Sequence, residues 1–365
     1  FGIRHARSTF YSRLESMLAC KPKIEALAVE YAKNTLKDGL NLVLYDVTTL
    51  YFESFKADEL RAPGFSKDGM HQQPQVVVGL LVTRSGFPLG YEVFPGNTFE
   101  GKTMLPVLDD FCARHNVATS TIVADAAMLS EALLGQIVAR GMTYIVAARL
   151  ASASDQLVDQ VCKRLVMEDG RTVRVKSPHG DMICSFSSKR YKKDKATHEK
   201  DLAKAKLLVA KGEPGKRAKF VKGGKQGYAL DEQRIARTER LLGIKGYCTN
   251  IPRSKLDNKS VIARYHDLWH VEKAFRMAKS DLATRPIFHF NETPIRVHLS
   301  ICFMALVMAR MIEQRTGMSI RAVMDAIWKI TDAVLYHPQT QKRITIRANI
   351  PAPTAQILRK LGMPY

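Results

Sequence analysis

The sequence predicts an α/β fold in which one mixed sheet is flanked by helices. Three patterns predict it: apolar, β-branched runs separated by turn residues early in the chain, an alternation of strand-like and helix-like runs after them, and long helical patterns near the end. At 365 residues the chain is long enough for one large core with an elaboration, or for two domains.

The chain begins with helical sequence and continues with strands. Residues 8–36 carry apolar side chains at helical spacing until Asp38-Gly39 interrupts the pattern, which predicts one or two leading helices. The turn Arg84-Ser85-Gly86 separates two strand-like runs and predicts an antiparallel hairpin. The three predicted strands are 41–52, 75–82 and 89–94.

Helices and strands alternate in the next stretch. The predicted elements are a helix at 103–115, a strand at 121–124, a helix at 130–140 and a strand at 143–147. A meander of strands followed by this alternation is the arrangement of the ribonuclease H-like fold, a mixed sheet flanked by helices.

Residues 151–258 interrupt this pattern, and we interpret them as a basic, partly β insertion domain. A hairpin is predicted at 171–187, and residues 189–225 contain fourteen Lys or Arg against four Asp or Glu, a net charge near +10. A solvated charged excursion is the alternative interpretation. A charged helix and a Gly- and Lys-rich loop are expected within this basic run, at 196–210 and 211–227.

The predicted organisation has four segments. A strand-like run at 244–249 precedes a long helical pattern at 261–282 that closes before Pro286. Because the chain opens at Phe1 within helical sequence, we expect an N-terminal portion to precede it. The segments are leading helices at 1–40, the first part of the core at 41–150, the insertion at 151–258, and the second part of the core with C-terminal helices at 259–365.

The charge balance predicts a polyanionic partner. Lys and Arg number 56 against 35 Asp and Glu, a formal charge of +21. Such a field accelerates encounter with phosphate backbones and supplies affinity by releasing counterions, although solubility alone is an alternative explanation. The six cysteines are scattered without metal-ligand spacing, as in a reduced cytosolic protein. The most apolar run, 299–309, has about eleven residues against about twenty for a membrane span, so we expect a buried helix and no membrane.

Three carboxylates occupy unusual positions. Asp46 lies within an apolar strand-like run and Asp125 ends another, so each puts a charge where burial is costly without a partner. On a continuous helix at 100° per residue, Glu272 falls within about 60° of Tyr265 and Phe275, which predicts a core-facing position. Hard cations such as Mg²⁺ prefer carboxylate oxygens, and two of them about 4 Å apart promote phosphodiester transfer. Two strand-end Asp and a helical Glu suit that task.

Competing chemistries find no motif in the chain. The sequence contains no GxxxxGK[ST] phosphate loop, no HExxH and no GxSxG.

Four stretches together form a specific set: YDVTTLYFE at 45–53, PLGYEVFPGN at 88–97, ADAAMLS at 124–130, and the helix around Glu272. With this set the chain resembles bacterial insertion-sequence DDE transposases of the insertion-sequence-four type, in the branch with a long insertion between the second Asp and the Glu. The resemblance covers essentially the whole chain. It implies a DNA transposase that cleaves transposon ends with metal ions and transfers the strands into target DNA.

The helix signature of that group, Y-x2-R-x3-E-x6-K, matches at Tyr265, Glu272 and Lys279. Its Arg position holds Leu268, and we expect Arg276, one turn after the Glu, to supply the missing cation to a DNA phosphate. The resemblance implies that Tyr265 and Lys279 contact DNA near the cleaved end. It also implies that the ligands of two Mg²⁺ ions, with Mn²⁺ as a substitute, are Asp46, Asp125 and Glu272.

Further expectations concern partners and rivals. Trp269, about 60° from Glu272 on the same helix, is placed to stack a splayed base, with packing as the alternative. The expected partners are double-stranded DNA, as terminal inverted repeats and target, and a second copy of the chain on paired ends, in the bacterial cytoplasm at the nucleoid. Two alternatives stay open: a ribonuclease H-like nuclease without strand transfer, and an inactive transposase-derived DNA-binding protein.

Overall fold

The computed structural model describes residues 6–36, 40–53, 56–66, 69–70, 72–117, 120–126, 130–212, 219–224 and 227–363. The α-helices in these ranges are α1 (Arg7–Tyr11), α2 (Leu14–Leu18), α3 (Lys21–Thr35), α4 (Met104–His115), α5 (Glu131–Ala139), α6 (Asp155–Arg164), α7 (Ser188–Lys211), α8 (Glu232–Arg240), α9 (Asn258–His266), α10 (Trp269–Arg276), α11 (Glu292–Thr316), α12 (Ile320–Ile327) and α13 (Ala352–Leu361). The strands are β1 (Leu42–Tyr51), β2 (Gln75–Thr83), β3 (Pro88–Pro95), β4 (Thr121–Ala124), β5 (Thr143–Ala148), β6 (Thr172–Ser177), β7 (Gly180–Phe186), β8 (Val221–Gly224), β9 (Gly227–Leu230), β10 (Ile244–Thr249), β11 (Ala333–Tyr336) and β12 (Arg343–Ile346).

Eight of these strands form one mixed sheet in the order β3-β2-β1-β4-β5-β10-β7-β6. Strand β4 pairs with β1 and β5 in parallel, whereas β2 with β3, β5 with β10, and β10 and β6 with β7 pair antiparallel. The predicted α/β class, a mixed sheet flanked by helices, is confirmed, and so is the antiparallel hairpin of β2 and β3. The ribonuclease H-like topology stays a prediction.

The chain divides into two compact units. The first comprises Phe1–Leu40, Val47–Thr98 and His270–Tyr365, and the second comprises Asn41–Asp46 and Phe99–Trp269. Strand β1 therefore contributes to both units, with the division falling after Asp46. This division differs from the four segments proposed from the sequence, whose boundaries stay a prediction.

Capping residues explain where several helices begin and end. Ser130 accepts a hydrogen bond from the Leu133 N–H at the start of α5, and Asp257 accepts one from Ser260 at the start of α9. Helix α7 ends at Gly212, whose φ of 64° is a left-handed conformation that glycine adopts without strain. Such capping residues can be recognised in the sequence. The limits of α4 and α5 agree with the predicted ones within a few residues.

The region interpreted as an insertion contributes to the main sheet. Its predicted hairpin is β6 and β7, and β10 lies between β5 and β7, so these strands extend the sheet that β4 and β5 begin. The sequence predicted the strands but not their partners, because strand pairing joins residues far apart in the chain. The predicted charged helix extends over all of α7, and the basic insertion domain as such stays a prediction.

Two other expectations differ from the structure. The leading region forms three helices, α1 to α3, rather than one or two, and the predicted break at Asp38-Gly39 lies outside the described residues. Within the predicted loop at 211–227, strands β8 and β9 form a small hairpin. Phe220 packs beside that hairpin in a buried cluster with Ala205 of α7. Composition alone did not indicate this contact.

In the first unit, helix α3 is joined to strand β3 through a buried carboxylate. Glu25 is fully buried and accepts a hydrogen bond from the backbone N–H of Tyr91 at 3.1 Å. Lys21 Nζ lies 3.1 Å from the same carboxylate and 3.3 Å from that of Glu92. The buried negative charge is therefore both hydrogen-bonded and paired, which is the condition for burying it at acceptable cost.

Helix α11 is the long helix of the first unit, and it contacts α2, α3, β3, α12 and α13. Its 25 residues exceed the eleven-residue run predicted at 299–309, and in the described part of the chain it is the one helix whose length and mean hydropathy of 1.7 would permit a membrane span. The prediction that this helix is too short to span a membrane is therefore wrong. Half of its apolar stretch is buried inside the protein, and Arg310 on its buried side favours a core helix.

Arg310 fixes α11 to the turn between β2 and β3. Its guanidinium donates to the carbonyls of Gly86 at 3.1 Å and Ser85 at 2.7 Å, and it pairs with Glu313 at 2.5 Å. Arg310 is 7% exposed, so each of these polar groups loses contact with water on folding and depends on the others.

Arg310→Met is expected to lower the free energy of unfolding by about 3 kcal/mol, because it leaves the carbonyls of Ser85 and Gly86 without their guanidinium donor and removes the closest cation from the Glu313 carboxylate. Urea denaturation of the full chain measures this. Arg315→Met on the same helix is the control, since Arg315 is exposed and its replacement should change stability by less than about 0.5 kcal/mol. Equal effects of the two substitutions would contradict the proposed role of Arg310.

Candidate functional site

Strands β1 and β4 bring Asp46 and Asp125 into one alignment. The parallel pairs include Leu42 with Thr121 and Leu44 with Val123, and continuing this alignment by two residues sets Asp46 beside Asp125. Neighbouring strands lie about 4.8 Å apart. Asp46 is partly buried within β1, and Asp125 is exposed directly after the last residue of β4.

Tyr265 links this pair of carboxylates to helix α9. Its hydroxyl donates to Asp125 Oδ1 at 3.1 Å, although its side chain is otherwise buried at 7% exposure. Burial raises the pKa of Tyr265 far above its ordinary value, and the negative charges of Asp125 and Asp46 raise it further. The phenol therefore stays protonated and acts as a donor to the carboxylate.

Two aromatic rings and a lysine form the surroundings of that hydroxyl. The ring of Tyr265 packs against that of Tyr247 at 4.9 Å between centroids. Lys245 Nζ lies 4.6 Å from the centre of the Tyr265 ring and 5.4 Å from that of Tyr247. A cation over an aromatic face is attracted by the ring quadrupole, so Lys245 is held against the ring whose hydroxyl donates to Asp125.

The helical position predicted for Glu272 is wrong. Helix α9 ends at His266, residues 267–268 form a turn, and α10 begins at Trp269. Because the helix is interrupted, the phase of 100° per residue does not carry over from Tyr265 to Glu272. Glu272 is exposed, and the buried residues of α10 are Val271, Ala274 and Phe275.

The remaining predicted residues occupy different environments. Trp269 is 51% exposed, and Arg276 is exposed at the end of α10. Lys279 lies in a π-helical turn, Met277–Asp281, and lines a small apolar cavity of about 50 Å³ with Leu50 and Cys302. The π-turn closes i to i+5 hydrogen bonds, so the seven-residue spacing of Glu272 and Lys279 does not place them on one α-helical face.

The carboxylates divide between the units. Asp46 and Asp125 belong to the second unit, whereas Glu272 belongs to the first. Within the described ranges, no three His, Cys, Asp or Glu side chains form a group that could hold a metal ion. The aligned pair Asp46 and Asp125 nevertheless offers the oxygen ligands that a hard divalent cation prefers.

Comparison with known proteins identifies the family. Residues 38–308 match the family described as Transposase DDE domain. The chain belongs to this family. No curated protein matches it.

Two solved transposase structures are similar to this DDE-domain chain. One is the cryo-EM structure of the piggyBac transposase synaptic complex with hairpin DNA, with a TM-score of 0.43 and 10% identity over 86% of this chain and 55% of that one. The other is the Mos1 transposase paired-end complex with the left transposon end, with a TM-score of 0.22 and 13% identity over 39% of this chain and 43% of that one. This chain therefore spans about half the length of those it matches.

Lys245 is the residue of this DDE-domain chain that sequence reasoning missed. It lies on β10, whose pairing with β5 aligns Gly246 with Ala148, and the sequence places it about a hundred residues from the end of β5. A lysine within an apolar strand-like run was the available signal, because a charged group there requires a partner. The partner rings, Tyr247 and Tyr265, became apparent only from the fold.

Asp125→Asn is expected to lower the pKa of Tyr265 towards the ordinary tyrosine value of about 10, while burial keeps it raised, because one nearby negative charge is removed. Ultraviolet-monitored pH titration measures the change, with the Tyr265 signal isolated as the difference from the matching Tyr265→Phe variant. Asp267→Asn serves as the control and should leave the titration unaltered. An Asp125→Asn protein that titrates like the wild type would contradict the coupling.

Proposed function

We propose that this chain is a DNA transposase that cleaves DNA at transposon ends and transfers the strands into target DNA, with divalent metal ions held by Asp46, Asp125 and Glu272. The observation that carries the proposal is the parallel register of β1 with β4, which, continued by two residues, sets Asp46 beside Asp125, in a chain of the Transposase DDE domain family. Two neighbouring carboxylates offer several oxygen ligands for a hard cation at one place, which a core strand of apolar residues does not.

The chain's own groups would bind and orient the reactants. Bound Mg²⁺, as two ions and with Mn²⁺ as a substitute, supplies the Lewis acid that activates an attacking oxygen and stabilises a leaving oxygen. Asp46 and Asp125 offer their carboxylate oxygens, and Glu272, which is exposed on α10, is proposed as the third ligand. Tyr265 acts as a positioning residue, because its hydroxyl donates to Asp125 and restricts how that carboxylate turns.

DNA contacts are proposed for the residues around the Glu-bearing helix. Arg276 and Trp269 are exposed, which suits a guanidinium bound to a phosphate and an indole stacked on a splayed base. Lys279 is proposed to contact DNA near the cleaved end. The burial of Tyr265 favours its role on Asp125 over a direct DNA contact.

The resemblance to insertion-sequence-four transposases supports the wider setting of this proposal. It suggests a bacterial element, terminal inverted repeats and target duplex as DNA partners, and a homodimer on paired ends, in the cytoplasm at the nucleoid. The formal charge of +21 suits such polyanionic surroundings. The alternatives are a nuclease that hydrolyses without strand transfer and an inactive DNA-binding derivative, and one assay separates all three.

Replacing the proposed ligands is expected to abolish the chemistry while DNA binding persists. Asp46→Asn, Asp125→Asn and Glu272→Gln should each lower Mg²⁺-dependent cleavage and joining at least about a hundredfold, since loss of even an outer-shell partner costs up to that much. The assay follows labelled terminal DNA of the element in cleavage and in transfer to a plasmid. Asp267→Asn, a carboxylate outside the proposed ligand set, is the matched control.

Each outcome of that assay selects one hypothesis. Cleavage and joining by the wild type, lost in the three variants, support the transposase. Cleavage without joining favours the nuclease, and binding without either reaction favours the inactive derivative. If the variants cleave as fast as the wild type, Asp46, Asp125 and Glu272 are not the metal ligands.

Helix α7 is expected to provide part of the DNA affinity. Lys192 and Lys200 are exposed on it, and replacing both with Gln should reduce the slope of log affinity against log salt by up to about 2, because each lost phosphate contact removes about 0.9. Fluorescence anisotropy with duplex DNA at several salt concentrations measures the slope. Lys23→Gln/Lys329→Gln, exposed lysines of the first unit, is the control, and an equal loss there would indicate a diffuse charge effect instead.

A further inference from the structure

The second unit contains a large cavity apart from the paired carboxylates. Its volume is about 530 Å³, and helices α7 and α8 and strand β10 contribute to its walls. That volume lies in the range of about 300–1,000 Å³ typical of small-molecule sites. Its lining includes the apolar side chains Leu241, Leu242 and Ile244.

The charged residues of the cavity lining are mostly cations. Its lining in the described residues includes one carboxylate, Asp194, whose charge is offset by Arg190 at 3.2 Å. The cations of the lining are Arg149, Arg190, Lys219, Arg234, Arg237 and Lys245. Asp194, Asp155 and Asp201 pair with Arg190, Arg237 and Lys219, but the lining holds six cations. A net positive charge therefore remains around a concave space, which favours an anionic ligand.

Two of these guanidinium groups are available for a ligand. In the part of the chain that the structure describes, the side chains of Arg149 and Arg234 make no hydrogen bond or ion pair. Arg237, by contrast, donates to the carbonyls of Ala151 and Leu150 and pairs with Asp155. Arg237 therefore holds the wall in place, while Arg149 and Arg234 keep their forked donors for a bidentate acceptor.

A buried histidine also contributes to the lining. His198 is 5% exposed, and its Nδ1 has no hydrogen-bond partner among the described residues. Its Nε2 lies 3.3 Å from Glu239 Oε1, and its ring packs edge-on against Phe220 at 5.1 Å. A buried polar atom without a partner is uncommon in folded proteins and often belongs to a site that a ligand or water completes.

We infer that this cavity binds a phosphorylated small molecule of about the size of a mononucleotide. Phosphate oxygens match the bidentate donors of Arg149 and Arg234, and the apolar wall suits an attached base or other uncharged part. The concave shape and limited volume favour a compact ligand over duplex DNA. The inference does not depend on the proposed transposase chemistry.

The test is calorimetric titration of the full chain with ATP and with inorganic triphosphate, in EDTA so that no metal-loaded site takes part. We expect saturable binding of one triphosphate per chain. Arg149→Gln/Arg234→Gln should weaken it at least about tenfold, since charge-assisted hydrogen bonds are the strong ones. Arg240→Gln, on the same helix as Arg234 but paired with Asp159, is the matched control.

Two results would overturn the inference: no saturable binding of either triphosphate, or equal affinity in the double variant. If neither triphosphate binds and the double variant also loses duplex DNA binding, the cavity belongs to the DNA-binding surface instead. Asp46→Asn/Asp125→Asn should bind triphosphate as the wild type does, which keeps this result separate from the fate of the metal-dependent activity.

Discussion

Strand β1 contributes residues to both units, and its register with β4 is the constraint on which the candidate site depends. The residues of β1 before its last position are buried, except Asp46, which keeps partial contact with solvent. A slip by one residue would exchange it with a neighbour such as Tyr45 or Val47, both almost completely buried. That exchange would bury a carboxylate among apolar side chains. The single charge in an apolar strand therefore selects the register that sets it beside Asp125.

The surroundings of the paired carboxylates come from distant parts of the chain. Tyr265 lies on α9 and donates to Asp125, and Lys245 lies on β10, over the ring of Tyr265. Two separate elements of the second unit, α9 and β10, therefore contribute to the surroundings of the Tyr265 side chain. A hydroxyl whose pKa is raised by burial and by two carboxylates remains protonated, and so remains a donor, above the pH at which an exposed tyrosine ionises.

Local patterns in the sequence were sufficient to locate most strands and to place Asp46 within one strand and Asp125 directly after another. Alternation and turn residues located β2, β3, β4 and β5 within one or two residues, since these signals act over a few positions. The position of Glu272 was not accessible in this way. Residues 267–268 contain no proline or glycine, so nothing local announced the break between α9 and α10, and the helical phase was carried across it. Strand partners such as β10 and β5 are set by tertiary packing, which a single sequence does not display.

The contact between Glu25 and the Tyr91 backbone has a consequence for how the chain behaves at high concentration. Strand β3 ends the sheet order, and an end strand with unsatisfied amide groups is a template on which other chains aggregate. Helix α3 covers this strand, and its buried carboxylate occupies one of the amide donors that a foreign strand would require. An ionised side chain at that point is also a poor neighbour for an incoming apolar strand. The same ion pair that fastens α3 to the sheet thus protects the sheet from growing beyond β3.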